Sequence, residues 1–312
     1  MDFFGIDRKK LQKITLTVIA SLTLISLVLL LIVIIASVEG QDPNKIDYPN
    51  IDNVDEIEFE DTVATKDILS HGSLLLVNGE HKYDIPSNLS LELISTYRNA
   101  HYEGDSLPYG TTDINNMKLE STTMRMAHQM LFDLSNETEE FVYITSGFRS
   151  IEEQTSKLIP PGYSEHHTGM LMCLKNDTTG SLSEICSAWL AANSYKYGFI
   201  QRYPTDKAEL TGIEDYTNAY RYVGIPHASY IVNNNLCLEE YISYLKDNTN
   251  YKKPLSVKAY DNNTYLIYYA EASEGDKFKT PLQNATPDGS LSLPFTVSGT
   301  NEGGVVVTII VN

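Results

Sequence analysis

Residues 14–38 contain no charged side chain. A helix of that length, at about 1.5 Å per residue, exceeds the roughly 30 Å hydrocarbon core of a bilayer. The run is therefore too long and too uniformly apolar for an ordinary amphipathic helix, and it predicts a transmembrane helix over 14–38. Arg8, Lys9, Lys10 and Lys13 precede it, and Glu39, Asp42 and Asp47 follow. The positive-inside rule then places residues 1–13 in the cytoplasm and the main domain outside the cell membrane. A cleaved signal peptide would need a shorter apolar region and a small-residue cleavage site, for which Ile34-Ile35-Ala36-Ser37-Val38 is poor.

Composition matters chiefly for what lies beyond this segment. The 312-residue chain carries a formal charge of −18, and its first 38 residues are net basic. An external part this acidic has no cationic surplus to displace counterions from nucleic-acid phosphate, so no nucleic-acid partner is expected. It is equally unsuited to lying flat on an anionic membrane. Three cysteines exclude a disulfide scaffold, and 42% hydrophobic residues allow a packed core. Cys186 and Cys237 either pair with each other or, like Cys173, are small buried apolar residues.

Residues 39–66 read as an extended acidic linker, with nine acids and one lysine between Glu39 and Asp61. Residues 67–250 form the main domain, with ordered structure expected from about Ser73. Leu74-Leu75-Leu76-Val77-Asn78 before Gly79 predicts a short buried strand. A helix is expected over 118–134, and strands over 142–146, 170–174, 199–203 and 220–223. Further helices are expected over 183–195 and 238–245, the latter from Leu238, Tyr241, Ile242 and Leu245 at i, i+3, i+4, i+7. Residues 251–312 form a β-rich extension, with strands expected over 255–260, 264–270, 291–297 and 305–311.

Three clusters carry candidate chemistry. Pro160-Pro161-Gly162-Tyr163-Ser164-Glu165-His166-His167 sets two histidines and a glutamate after a rigid turn, with Cys173 seven residues beyond His166. Zinc takes three or four N, S or O ligands from separated segments, so this spacing alone leaves a metal site open. If the two histidines lie on a strand they point to opposite faces, leaving His167 exposed and unpaired. Ser146-Gly147-Phe148-Arg149-Ser150, with Gln154 five residues after Arg149, places an arginine at a strand end. There it either clamps a ligand oxygen or makes a surface ion pair. The third cluster, Tyr197-Gly198-Phe199-Ile200-Gln201-Arg202-Tyr203-Pro204 with Tyr220-Arg221-Tyr222-Val223-Gly224, reads as rigid aromatic core strands.

In this order and spacing the clusters resemble the VanY-type zinc D-alanyl-D-alanine carboxypeptidases. The resemblance covers about residues 74–245. It implies an α+β fold, a central antiparallel sheet flanked by helices of the zinc D,D-peptidase (hedgehog-like) type. It also implies a peptidoglycan stem peptide as ligand. The family motif Ser-x-His-x-x-Gly-x-x-x-Asp maps onto Ser164, His166 and Gly169, with Cys173 where the ligand aspartate belongs. The Glu-x-x-His motif, general base and third zinc ligand, maps onto Tyr216 and Ala219. Arg149, Gln154 and Ser164 match substrate-contacting positions.

A methyl group cannot bind metal, and a phenol with a pKa near 10 is a poor base for zinc-bound water. The expectation is therefore a membrane-anchored pseudoenzyme without a cofactor, binding a stem peptide or an envelope protein partner. The alternative is an active zinc enzyme using His166, Cys173 and a third ligand from His227, His101 or Asp215.

Overall fold

The computed structural model describes residues 57–102, 107–155, 159–176, 181–214, 216–282 and 293–311. The predicted span 14–38 lies outside these residues, as do positions 39–56 of the linker. No helix among the described residues is long and apolar enough to cross a membrane.

In chain order the elements are β1 (Phe59–Val63), α1 (Lys66–Ser70), β2 (Leu91–Leu93), α2 (Ile94–Ala100), β3 (Tyr109–Thr111), β4 (Lys118–Glu120) and α3 (Ser121–Thr138). There follow β5 (Val142–Ser146), β6 (Leu171–Lys175), α4 (Glu184–Asn193), β7 (Phe199–Gln201), α5 (Ala208–Thr211) and β8 (Ala219–Tyr222). The chain closes with α6 (Ile225–Asn233), α7 (Leu238–Asn248), β9 (Leu255–Lys258), β10 (Thr264–Glu271), β11 (Lys277–Pro281), β12 (Phe295–Gly299) and β13 (Gly304–Val311).

The central sheet has the order β3-β5-β6-β8-β7. It is antiparallel except that β3 runs parallel to β5, which corrects the expected all-antiparallel sheet. One face is covered by α3, whose Met126, Met130 and Leu134 line a single stripe and are buried with Met172, Leu174 and Tyr220. Each fully buried side chain of this size contributes about 1.5–3 kcal/mol. The predicted start of this helix moves from 118 to 121. Residues 118–120 pair with β2 instead, and the Glu120 carboxylate accepts from the N–H groups of Thr122 and Thr123, capping the first turn.

Two other expectations are corrected. Leu74 to Val77 are fully buried but form no strand. Their backbone is satisfied piecemeal: Leu74 N–H donates to Ser298 Oγ, Leu76 N–H to the Thr300 carbonyl, and Arg221 donates to the Ser73 and Leu75 carbonyls. The linker ends earlier than 66. Phe59 to Val63 pair antiparallel with β11, a strand that the alternation of Lys277-Phe278-Lys279-Thr280 did not bring out beforehand.

The extension forms a four-stranded antiparallel sheet, β12-β13-β10-β9. Its residues Val257, Ile267 and Val306 share a core with Leu74, Ile231, Tyr241 and Leu245, so it packs on the helices α6 and α7. Its other face packs on Phe278 and on Ala64, beside Ile68 and Leu69 of α1. With both faces covered, β10 and β13 read as continuous apolar runs rather than alternating ones.

Candidate functional site

The site is built where β5 ends, where β6 begins, and on β8. After β5 the chain turns at Gly147, where a Cβ would lie 2.4 Å from the Lys118 carbonyl oxygen, so only glycine fits. Between Pro161 and β6 the chain makes a short 3-10 turn, Glu165–Thr168. Gly169 closes that turn at φ +70°. The two loops are pinned together by three bonds. His166 Nδ1 donates to the Gly147 carbonyl (2.7 Å), Arg149 N–H to the His166 carbonyl (3.2 Å), and His167 Nδ1 to the Arg149 carbonyl (2.8 Å).

His167 is thus neither exposed nor unpaired: it is fully buried and its Nε2 accepts from Gly162 N–H. The strand geometry assumed for the two histidines does not apply, because both sit in the 3-10 turn. A donating Nδ1 fixes the His166 tautomer, so Nε2 carries the lone pair. That nitrogen faces Ser146 Oγ at 3.5 Å and Cys173 Sγ at 3.9 Å. Burial, and then the Arg149 charge, push the His166 imidazole down to about 3.

On β6, Cys173 stands opposite Ala219 of β8 in register. Its thiol donates to Tyr216 Oη at 3.0 Å, and Tyr216 stacks on Tyr203. Leu171, Cys173, Tyr203 and Ala219 form one small apolar cluster, flanked by Ile213 and Tyr216. Burial raises the Cys173 thiol to about 11. Burial, reinforced by the neighbouring thiol, raises the Tyr216 phenol further above its ordinary range.

Arg149 makes no ion pair among the described residues. It donates to Ser146 Oγ (2.6 Å) and to Gln154 Oε1 (3.3 Å), while Gln154 Nε2 donates to the Ile159 carbonyl. Gln154 and Ser164 are both buried, and the Ser164 carbonyl accepts from His167 N–H.

The fold therefore brings His166, Cys173, Tyr216 and Ala219 to one point, as the motif alignment requires, with Arg149 and Gln154 beside them. The donor set was tested against a catalytic zinc. His166 Nε2 and Cys173 Sγ are separated by about what two zinc ligands allow. Ala219, in the third position, offers no donor. Among the described residues no group of three or more His, Cys, Asp or Glu assembles around a metal position. The alternative third ligands do not join them. His227 is engaged by Tyr241 Oη and Thr308 Oγ1, and His101 stacks on Tyr97 while bonding its carbonyl. Asp215 lies outside the described residues. The described residues do not assemble a three-ligand zinc site.

Glu165, read from sequence as part of the histidine cluster, turns the other way. Its carboxylate lies 2.7 Å from Arg202 Nε and 3.0 Å from Arg221 Nη1, and Arg202 also pairs with Glu239 at 2.6 Å. Glu165 and both arginines are fully buried. Burial pushes the Glu239 carboxyl up, but the Arg202 charge and hydrogen bonds outweigh it and the net shift is downward. Sequence reasoning missed this network. Its signal was two arginines inside otherwise apolar aromatic strands, where a buried charge demands a partner. All three cysteines are free and buried, so Cys186 and Cys237 do not pair.

Residues 157–225 match the family model VanY, D-alanyl-D-alanine carboxypeptidase. A D-alanyl-D-alanine carboxypeptidase of Enterococcus faecium is 28% identical over 280 residues, 87% of this chain and 86% of the relative. The solved structure of the vancomycin resistance D,D-dipeptidase VanXYg, in complex with a D-Ala-D-Ala phosphinate analogue, has a TM-score of 0.65 at 24% identity. It covers 81% of this chain and 100% of that one, a likeness of fold. A solved VanY D,D-pentapeptidase variant from a VanB-type resistance cassette, in complex with Zn(II), is 29% identical at a TM-score of 0.42. It covers 55% of this chain and 98% of that one.

Proposed function

We propose, from the match of residues 157–225 to the VanY D-alanyl-D-alanine carboxypeptidase model and from the likeness to the Enterococcus faecium relative, that this chain is a member of that family which binds a peptidoglycan stem peptide without hydrolysing it by the zinc route. The observation that carries this reading is the composition of the cleft: the Ala219 methyl opposite Cys173, with the Tyr216 phenol bonded to that thiol. Neither group supplies what water activation needs, a third metal ligand and a base that accepts a proton near neutral pH.

The substitutions are coherent in charge. Two carboxylates and a dication, taken away together, leave the formal charge of the cleft unchanged. Arg149 keeps its guanidinium there, held by the neutral oxygens of Ser146 and Gln154 and paired with no carboxylate among the described residues. A cation in that setting favours a ligand carboxylate or carbonyl oxygen, as at the end of a stem peptide. We place the domain outside the cell membrane, tethered by residues 14–38. An envelope protein is the other partner this arrangement suits.

The decisive experiment measures metal content of the purified protein and release of D-alanine from a pentapeptide. The comparison is the triple variant Cys173→Asp, Ala219→His, Tyr216→Glu. The parent is expected to hold no stoichiometric zinc and release no D-alanine, and the variant to gain zinc. Stoichiometric zinc with D-alanine release in the parent would overturn the reading. Sedimentation with purified peptidoglycan, with and without Arg149→Ala, tests the binding half.

A further inference from the structure

A groove of about 570 Å³ runs beside β7, the outermost strand of the central sheet, and shares no lining residue with the cleft of Arg149, His166, Cys173 and Tyr216. Its lining includes both Ile200 and Gln201. Successive strand residues point to opposite faces, so the groove follows the edge of the strand rather than covering one side.

The ladder register says what that edge presents. Arg202 N–H donates to the Ala219 carbonyl (2.9 Å) and Val223 N–H to the Gly198 carbonyl (2.8 Å), with Ile200 opposite Arg221 between them. Bonded and non-bonded pairs alternate along an antiparallel ladder. Gln201, opposite Tyr220, therefore directs its main-chain N–H and C=O away from β8, toward the outer edge. An edge of this kind is a template for an added strand.

The side chains narrow the chemistry. Asn218 Nδ2 donates to the Leu174 carbonyl (2.8 Å) and Gln201 Nε2 to the Thr217 carbonyl (2.7 Å), which leaves each amide its oxygen and one N–H. Among the described residues Asp206 is the one charged side chain of the lining; the neighbouring Lys207 turns to Glu240, 3.0 Å away. Its described residues thus present neutral hydrogen-bonding groups and one negative charge, in a chain of −18 overall.

We propose that this edge takes up an extended, basic peptide segment of a protein partner. The segment pairs with the Gln201 main chain as a sixth strand and sets a lysine or arginine against Asp206. A neutral saccharide is the poorer fit, since among the described lining residues the one ring is Tyr220, which is buried and offers a sugar no face to stack on.

The test uses the full-length chain in zwitterionic detergent and a fluorescein-labelled Val-Lys-Val-Lys-Val-Lys peptide, read by anisotropy. Saturable binding is expected, weakening with added salt. Asp206→Asn should weaken it about fivefold. Gln201→Pro removes the outward N–H at a position proline tolerates on an edge strand and should abolish binding, whereas Gln201→Ala, which loses only the side chain and its bond to Thr217, should retain it. If the proline variant does not fold, a probe N-methylated along one edge blocks pairing without touching the protein, and its binding should vanish. Absence of saturable binding up to about 1 mM peptide would overturn the proposal. So would binding indifferent to both N-methylation and Asp206→Asn, or preference for a neutral chito-oligosaccharide.

Discussion

Glu165 and His166 are neighbours in one 3-10 turn, yet they face opposite environments. Glu165 is fully buried between two arginines, in a network completed by Glu239. His166 points into a pocket of thiol, hydroxyl, phenol and methyl groups that carries no carboxylate among the described residues. The contrast teaches which side of the turn resists change. In the buried ion network, removing one partner strands a charge in a low-dielectric interior, so its members are locked to one another. On the cleft side, positions 173, 216 and 219 carry a thiol, a phenol and a methyl group, and a thiol–phenol bond closes the pocket. The buried ion network lies on the other side of the same turn.

The largest expected effect is on the frame. Glu165→Gln removes the charge facing both arginines and should destabilise the domain by about 3–5 kcal/mol, read as a lower denaturation midpoint in urea at unchanged slope. A cost below about 1 kcal/mol would break the comparison by showing that water or Glu239 satisfies the arginines alone.

A second effect separates frame from cleft by pH. His227, held between Tyr241 Oη and Thr308 Oγ1, joins α6 to α7 and β13, and burial pushes its imidazole down to about 3. The ordinary value is 6.5, so the unfolded chain takes up the proton first. This group costs nothing above that pH. Below it, the folded state loses about 1.4 kcal/mol per pH unit until pH nears 3. His166, shifted alike, adds a second share. His227→Gln keeps a partner for both hydroxyls and should roughly halve the acid slope contributed by these two groups, measured by urea unfolding between about pH 6 and 4. An unchanged slope would mean that the extension does not unfold with the domain.

Elements with a clean period were legible in sequence. The helix with Leu238, Tyr241, Ile242 and Leu245 on one face formed, extending to Asn248, and the strand over 142–146 formed with its expected bounds. What hid was decided by partners distant in sequence. Leu74 to Val77 carry a strand composition, but their backbone is claimed by Ser298, Thr300 and Arg221. The parallel β3 and the ribbon of β1 with β11 likewise rest on pairings that no local pattern announces. At the site, motif spacing was enough to set Tyr216, Ala219 and Cys173 together, since β6 and β8 pair in the required register. It did not show that Glu165 turns away from His166, because a 3-10 turn, unlike a strand or an α-helix, leaves no periodicity to read.

The smallest effect tests whether the cleft is as loosely bound as its composition suggests. Tyr216→Phe keeps the ring, and so its stacking on Tyr203 at a centroid distance of 5.7 Å, and deletes only the hydroxyl that accepts from Cys173. One neutral hydrogen bond is worth about 0.5–1.5 kcal/mol, and the thiol is a weak donor, so the loss should fall at or below the lower end of that range. The same substitution leaves the Glu165 network intact. The ratio of the two costs, Glu165→Gln over Tyr216→Phe, then measures how far the frame and the cleft have come apart. A Tyr216→Phe cost matching that of Glu165→Gln would show instead that the phenol closes the pocket as an essential strut rather than as a neutral occupant.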